Sequence, residues 1–258
     1  MSHQEVSMLT DAFLIALKQK YLNTIAQYNT ESGFEKKEWE FLNKAGRVEV
    51  NASRGGVFEK ACVSTIRATV TIPGRDYEST IQWVGIQTFP ANPQVPILMA
   101  VFEHVSEQGF ERCPGFFDVF PTVAYEADKK LLREKMAAVM TKHGRTYQDL
   151  REGYCTMFQR KEAGSGIGYG VGIAFGPEEE DAACFEDAAR EIFDAYFSLV
   201  DLRIAMKPSA ADIEKMHAQR REWVRYTFME NRFFLGGVQL GVPPEAFMTH
   251  MLPPTVLF

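Results

Sequence analysis

Four runs rich in β-branched and aromatic residues, within 47–71, 79–88 and 97–106, follow one another with little room for anything between them. Arg54-Gly55-Gly56 interrupts the first stretch as a hairpin turn does, Pro73-Gly74 closes it, and the proline-bearing Phe89–Pro96 joins the last two runs. Consecutive strands with connections this short pair antiparallel, because a parallel crossover needs a dozen or more residues. The rest of the chain is patterned to cover such a sheet. Leu9, Phe13, Ala16, Leu17, Ile25 and Tyr28 recur at helical spacing and predict a helix over about 8–28. A short charged segment with Phe34 and Trp39 follows. Leu131, Leu132, Met136, Val139 and Met140 predict a second helix ending near Gly144, and a third spans about Thr146–Phe158. Another carries Phe185, Ala188, Ala189, Ile192, Phe193 and Tyr196 behind the acidic cluster Glu178–Asp181, which suits a helix start. Ser209 with Asp212 three residues on predicts an N-cap for a short helix to about Arg221, and Trp223–Glu230 with Phe233–Leu240 read as a final hairpin about Asn231-Arg232. An apolar, proline-bounded tail closes the chain. With no repeat or low-complexity linker, the expectation is one α+β domain over 1–258, a large antiparallel sheet flanked by helices on both faces.

Glycine occupies every second position from Gly164 to Gly172, alternating with Ser165, Ile167, Tyr169 and Val171. In a strand this leaves one face of nearly bare backbone, including Gly166, Gly168 and Gly170. Regular glycine weakens a strand, so something approaches closely there: a planar ligand, a packed helix or another strand. Close helix-on-sheet packing is the simplest of these. Neither a dinucleotide fingerprint nor a P-loop can be written onto the segment.

A net charge of −6 and the lack of any Lys/Arg-rich run argue against a nucleic-acid partner, while leaving room for an anionic small molecule held by a few arginines. Cys62, Cys113, Cys155 and Cys184 are far apart and the five histidines form no ligand pair, so no metal centre is expected. No leader and no apolar run of bilayer length is found, and the expectation is a reduced, cytoplasmic, soluble protein without a membrane span.

Gly56–Val63, GVFEKACV, resembles the GxVFEKAGV signature of the oxygen-dependent coproporphyrinogen III oxidases, and further segments follow in that family's order. Phe34 through Trp39-Glu40 is similar to its F-x-x-x-x-W-E. Trp83–Pro96 resembles GVSxVIHPxNPxxP, Asp118 with Pro121-Thr122 resembles C-D-L-T-P-T, and Gln159–Glu162 resembles H-R-G-E. The glycine stripe is similar to RGIGGIFFDD, Asn231-Arg232 stands where the family has D-R-G, and Glu245–Pro254 is similar to ESILMSLPP. The resemblance runs from about 34 to 254. It implies an antiparallel sheet sandwiched by helices, a homodimer, and O₂-dependent oxidative decarboxylation of tetrapyrrole propionates to vinyls, with molecular oxygen as co-substrate and no metal or organic cofactor.

By the same resemblance Asp118 is the catalytic candidate, accepting hydrogen bonds from pyrrole N–H groups, or else an aspartate capping a turn. Arg160 and Arg232 are candidates to hold substrate carboxylates, or are ion-paired surface arginines; Arg225 is an additional one. Phe89 replaces the family's histidine, Asn231 its aspartate and Gln159 a second histidine. The family's H-F-N-x-R-x-F-E strand has become Met99-Ala100-Val101-Phe102-Glu103. Each change removes a proton-transfer or charge-pairing group, which puts the substrate in question and raises two alternatives: a non-catalytic tetrapyrrole-binding paralogue, and an enzyme acting on another carboxylated small molecule. His104 and His250 remain as possible acid–base groups, more commonly structural donors, and Cys62 reads as a small buried side chain.

Overall fold

The computed structural model describes residues 3–71, 76–157, 172–176 and 179–258, with the side chains of 3–10, 153–157 and Arg232 outside the description. Helix α1 (His3–Tyr28) leads into β1 (Phe34–Phe41), β2 (Gly46–Arg54), β3 (Phe58–Thr71), β4 (Glu78–Pro90), β5 (Ile97–Glu107), β6 (Phe110–Arg112) and β7 (Gly115–Phe120). Helices α2 (Glu126–Lys142) and α3 (Tyr147–Met157), strand β8 (Ile173–Phe175), and helices α4 (Ala182–Arg203), α5 (Ala210–Met229), α6 (Arg232–Gln239) and α7 (Pro244–Met251) complete it. The strands form an eight-stranded sheet in the order β1-β2-β3-β4-β5-β7-β8, with β6 pairing β5. Every pairing is antiparallel. The expected architecture is therefore observed: a large antiparallel sheet with helices on both faces.

Alternation along the strands assigns the faces. Ala61, Val63, Val84, Ile86, Leu98, Ala100, Phe102, Phe117 and Val119 face a core shared with α1, α2 and α4. Tyr21 of α1 is fully buried there, its ring 4.2 Å from Phe193 of α4 and nearly perpendicular to it. Such a pair adds about 0.5–1.5 kcal/mol to the area term. The intervening residues face α5, α6 and α7, in two clusters around Phe247 and Trp223. The central strands are thus buried on both sides. No helix among the described residues is long and apolar enough to cross a membrane.

The turn at Gly55 and Gly56 has φ of 84° and 100°, the left-handed region that glycine tolerates at least cost. Ser209 and Asp212 form a full capping box at the start of α5, and Asp181 accepts from Cys184 N to cap α4. Three expectations are corrected. The charged segment after α1 is an edge strand, β1, whose Lys and Glu side chains blunt an otherwise open ladder while Trp39 and Phe41 face inward. Residues Gly115–Phe120, which the sequence pattern did not mark as a strand, form β7. The final hairpin is two helices: α5 runs on to Met229, because Met216, Arg220, Trp223 and Tyr226 continue one buried stripe, and α6 begins at Arg232. β-prone residue types between 223 and 240 masked that helical period.

On the first face His104 of β5 is 2% exposed, with Nδ1 2.6 Å from Asp11 Oδ1 of α1 and Nε2 2.6 Å from Glu111 Oε2. Burial opposes the charge, but the hydrogen bonds and charges of the two carboxylates outweigh it and hold His104 above its usual pKa. This stabilisation is fully present below the unfolded value of 6.5 and is lost as pH rises through the higher folded value. The unfolding free energy should therefore fall on raising the pH above 6.5, and His104→Gln should remove that part of the fall in urea titrations; identical pH slopes for the two proteins would contradict the assignment.

Candidate functional site

The second face, under α5, α6 and α7, carries most of the groups that the sequence singles out. Asp118 stands on β7 opposite Met99 of β5 and is 1% exposed. Its Oδ1 accepts from Val119 N at 2.7 Å and Gly172 N at 2.8 Å, and Arg151 Nη1 lies 3.9 Å from Oδ2. Arg151 also donates to Gly172 O at 2.8 Å. Asp118 therefore stitches β7 to the chain entering β8 rather than capping a turn. At Gly172, the described end of the glycine stripe, the close neighbour is another strand: an added Cβ would lie 2.3 Å from Phe117 O and 2.6 Å from Asp118 Cγ. Gly166, Gly168, Gly170, Gln159 and Arg160 lie outside the described residues.

Other candidates are not brought to Asp118's carboxylate. Arg225 is exposed on the outer side of α5, paired with Glu222 at 2.8 Å and Glu230 at 2.7 Å. Trp223 and Tyr226 occupy the inner side of that helix. Asn231 caps α6, its Oδ1 accepting from Phe233 N and Phe234 N, while its buried Nδ2 has no partner. Arg232 opens the same helix. Phe89 is fully buried, edge-on to Trp223 with ring centroids 5.5 Å apart, and belongs to an aromatic cluster with Phe116 and Phe120. That cluster fills the sheet surface beside Asp118.

Nearer α7, Lys60 is 1% exposed and its ammonium donates to Thr249 O at 2.8 Å and to Leu252 O, holding the C-terminal end of α7 to β3. Burial brings its pKa down to about 8. His250 of α7 lies over Gly85, where a Cβ would come within 3.1 Å of Nε2. Burial, then the nearby Lys60, pulls its pKa to about 3, so the imidazole is neutral and poorly suited to proton transfer near neutrality. Cys62, also fully buried, is pushed up by burial and behaves as a packed side chain.

The opening on this face lies between these groups and the β1 edge. A cavity of about 230 Å³ separates the sheet from α6 and α7, with Ile66, Ala68, Trp83, Phe233 and Phe247 in its walls. Glu103 is its one charged lining group. Its carboxyl has no hydrogen bond or ion pair among the described residues, and loss of hydration raises it to about 7. Trp83, its direct partner across β4 and β5, has a buried Nε1–H with no acceptor. Sequence reasoning missed this pair, although Ile97, Met99, Val101 and Glu103 alternate along one face and only the last is polar.

On the opposite face a cavity of about 270 Å³ lies beside α1, and its charged walls include Lys18 and Glu49 paired at 2.5 Å. His143, Asp181 and Cys184 place donor atoms within 4.8 Å of one another. Asp181 is committed to the α4 cap, His143 to Asp187 at 2.8 Å, and the Arg145 guanidinium acts on Cys184. A helix N-terminus with an arginine beside it disfavours a cation.

Scans against family models and curated proteins return no match to this chain. Solved structures do match. The crystal structure of phytochromobilin synthase from tomato in complex with biliverdin superimposes with a TM-score of 0.51 at 12% identity, covering 89% of this chain and 80% of that one. The two chains share a fold. At this identity the likeness concerns architecture alone.

Two outcomes are expected. Gly172→Ala should cost about 1–3 kcal/mol in chemical denaturation by forcing backbone apart, whereas Gly176→Ala, where an added Cβ meets nothing within 4 Å, should stay within about 0.5 kcal/mol. Equal effects would remove the close-packing role of Gly172. Because the folded state holds a proton on Glu103 between about 4.5 and 7, its contribution favours folding below 4.5 and is lost as pH rises through 7. Glu103→Gln should raise the melting temperature at pH 8 and leave it little changed at pH 4; no gain at pH 8 would mean that the carboxyl is not desolvated.

Proposed function

We propose that this chain binds a tetrapyrrole-class small molecule. The observation that carries the reading is the fold shared with a structure described in complex with biliverdin, over 89% of the present chain. The ordered segments between residues 34 and 254 that resemble coproporphyrinogen III oxidase support it from an independent direction.

A second reading adds chemistry to that binding. Asp118 is retained as a buried carboxylate, which favours O₂-dependent oxidative decarboxylation of a propionate to a vinyl without metal or organic cofactor. In that reaction the side chain loses CO₂ and two electrons, and O₂ accepts the electrons. Phe89 stands in place of a histidine, and the Met99–Glu103 strand lacks the second histidine and the arginine of the resemblance, so a porphyrinogen substrate would find its carboxylates held elsewhere, by Arg160 or Arg232. Non-catalytic binding, or action on another carboxylated compound, is the form that these replacements favour.

Absorbance titration with biliverdin and with coproporphyrin III tests the binding. A saturable shift of the visible bands with a Kd below about 10 μM is expected for at least one of them; failure of both overturns the tetrapyrrole reading. Aerobic incubation with coproporphyrinogen III, followed for CO₂ and a vinyl product, tests the second reading alone, and no turnover above the blank removes it.

A further inference from the structure

The cavity under α6 and α7 is walled by hydrocarbon except at one place, where Glu103 and Trp83 stand side by side on neighbouring strands. Cross-strand partners on one face have Cβ atoms about 4.5–5.5 Å apart, close enough for two adjacent atoms of one small molecule to meet both. Neither group is satisfied within the described residues. The indole Nε1–H is buried and has no acceptor among the described residues, and the half-buried Glu103 carboxyl opens on the same cavity with no donor or cation among the described residues. A buried donor is nearly always partnered, and an orphaned indole N–H at the wall of an apolar cavity with a carboxyl beside it points to something that answers both. The walls add a shape requirement. Phe233 and Phe247 lie 6.1 Å and 6.3 Å from the Trp83 ring at interplanar angles of 59° and 68°, so the three rings pack on one another as an aromatic wall, against which a flat ring can lie. At about 230 Å³ the space falls below the roughly 300–1,000 Å³ of pockets for drug-sized ligands. It fits one ring or two fused rings, and a whole tetrapyrrole does not fit inside it.

We propose that this cavity is a binding site for a one- or two-ring nitrogen heteroaromatic, which donates an N–H to Glu103 and accepts from Trp83 Nε1 through a ring lone pair. An anionic ligand is disfavoured, because its charge would face the Glu103 carboxyl, which meets no cation among the described residues. The site stands on its own geometry and not on the tetrapyrrole reading: a negative porphyrin titration leaves it intact, and occupancy by a small heterocycle does not establish porphyrin binding.

Benzimidazole is the probe, read by the indole N–H resonance of Trp83 in a ¹⁵N-labelled protein, assigned through Trp83→Phe. A saturable downfield shift is expected with benzimidazole and none with benzoate. Glu103→Gln, nearly the same size, should weaken binding at least about tenfold, the loss of one charge-assisted hydrogen bond. Gly236→Leu serves as the folding control. An added Cβ there meets nothing within 4 Å, the position lines the cavity, and leucine favours a helix over glycine, so this variant should stay folded and lose binding by filling the space. The absence of a saturable shift in the native protein overturns the proposal. So does equal binding of benzoate, or benzimidazole affinity unchanged in both variants.

Discussion

Burial of the central strands on both faces is the constraint on which the rest of the molecule depends. Strands β3, β4 and β5 have helices above and below, so each side chain on them must be apolar or find its partner inside the protein. Most polar exceptions obey. Lys60 is answered by two carbonyls at the end of α7, Thr88 by the Tyr196 hydroxyl at 2.7 Å, and His104 by two carboxylates. These ties also fix the layers, since each joins the sheet to a helix or a neighbouring strand. Ser64 Oγ, Gln87 Oε1 and Trp83 Nε1 are buried without a partner among the described residues, and of these Trp83, beside Glu103, stands where the second helical layer leaves a cavity.

That contrast orders the functional residues differently from the resemblance to the oxidases. Asp118, the catalytic candidate there, already takes two backbone N–H groups and lies near Arg151, and the surface beside it is packed with Phe89, Phe116, Phe120 and Trp223. Replacing a histidine by Phe89 did not leave a hole, because Trp223 meets its ring edge-on. The polarity lost at Met99 and Val101 likewise became packing. Glu103 stands beside the unpartnered indole of Trp83 at the wall of a cavity, which is why ligand chemistry is sought there. Shared architecture with a biliverdin-bound protein and altered polar positions are compatible: a fold hosts many sites, and the site decides the chemistry.

Much of the fold is legible in the sequence because local rules and tertiary demands agree. The Gly55-Gly56 turn, the Ser209–Asp212 capping box and the apolar stripe of α1 each specify their element without help from distant residues. The errors fall where they disagree. Lys and Glu in β1 obscure a strand that only its partner β2 and the inward-facing Trp39 and Phe41 make necessary. Trp223, Val224, Tyr226, Thr227 and Phe228 have strand propensities, yet the cap at Ser209 and the stripe through Arg220 and Trp223 keep them helical. The candidate site was less legible still. Arg225 has the right chemistry on the wrong side of a helix, and Trp83 with Glu103 are twenty residues apart, joined only by the β4–β5 register. Orphaned polarity is a property of the assembled sheet, and no local spacing announces it.

The claim that most depends on this view is that Glu103 is a carboxyl without a partner in a water-poor cavity. Following its ¹³C side-chain resonance through a pH titration, with Glu103→Gln for assignment, measures this directly. A midpoint near 7 is the result expected. A midpoint at the ordinary glutamate value near 4.5 would mean that Glu103 is hydrated or paired, and the cavity would lose its standing as a site.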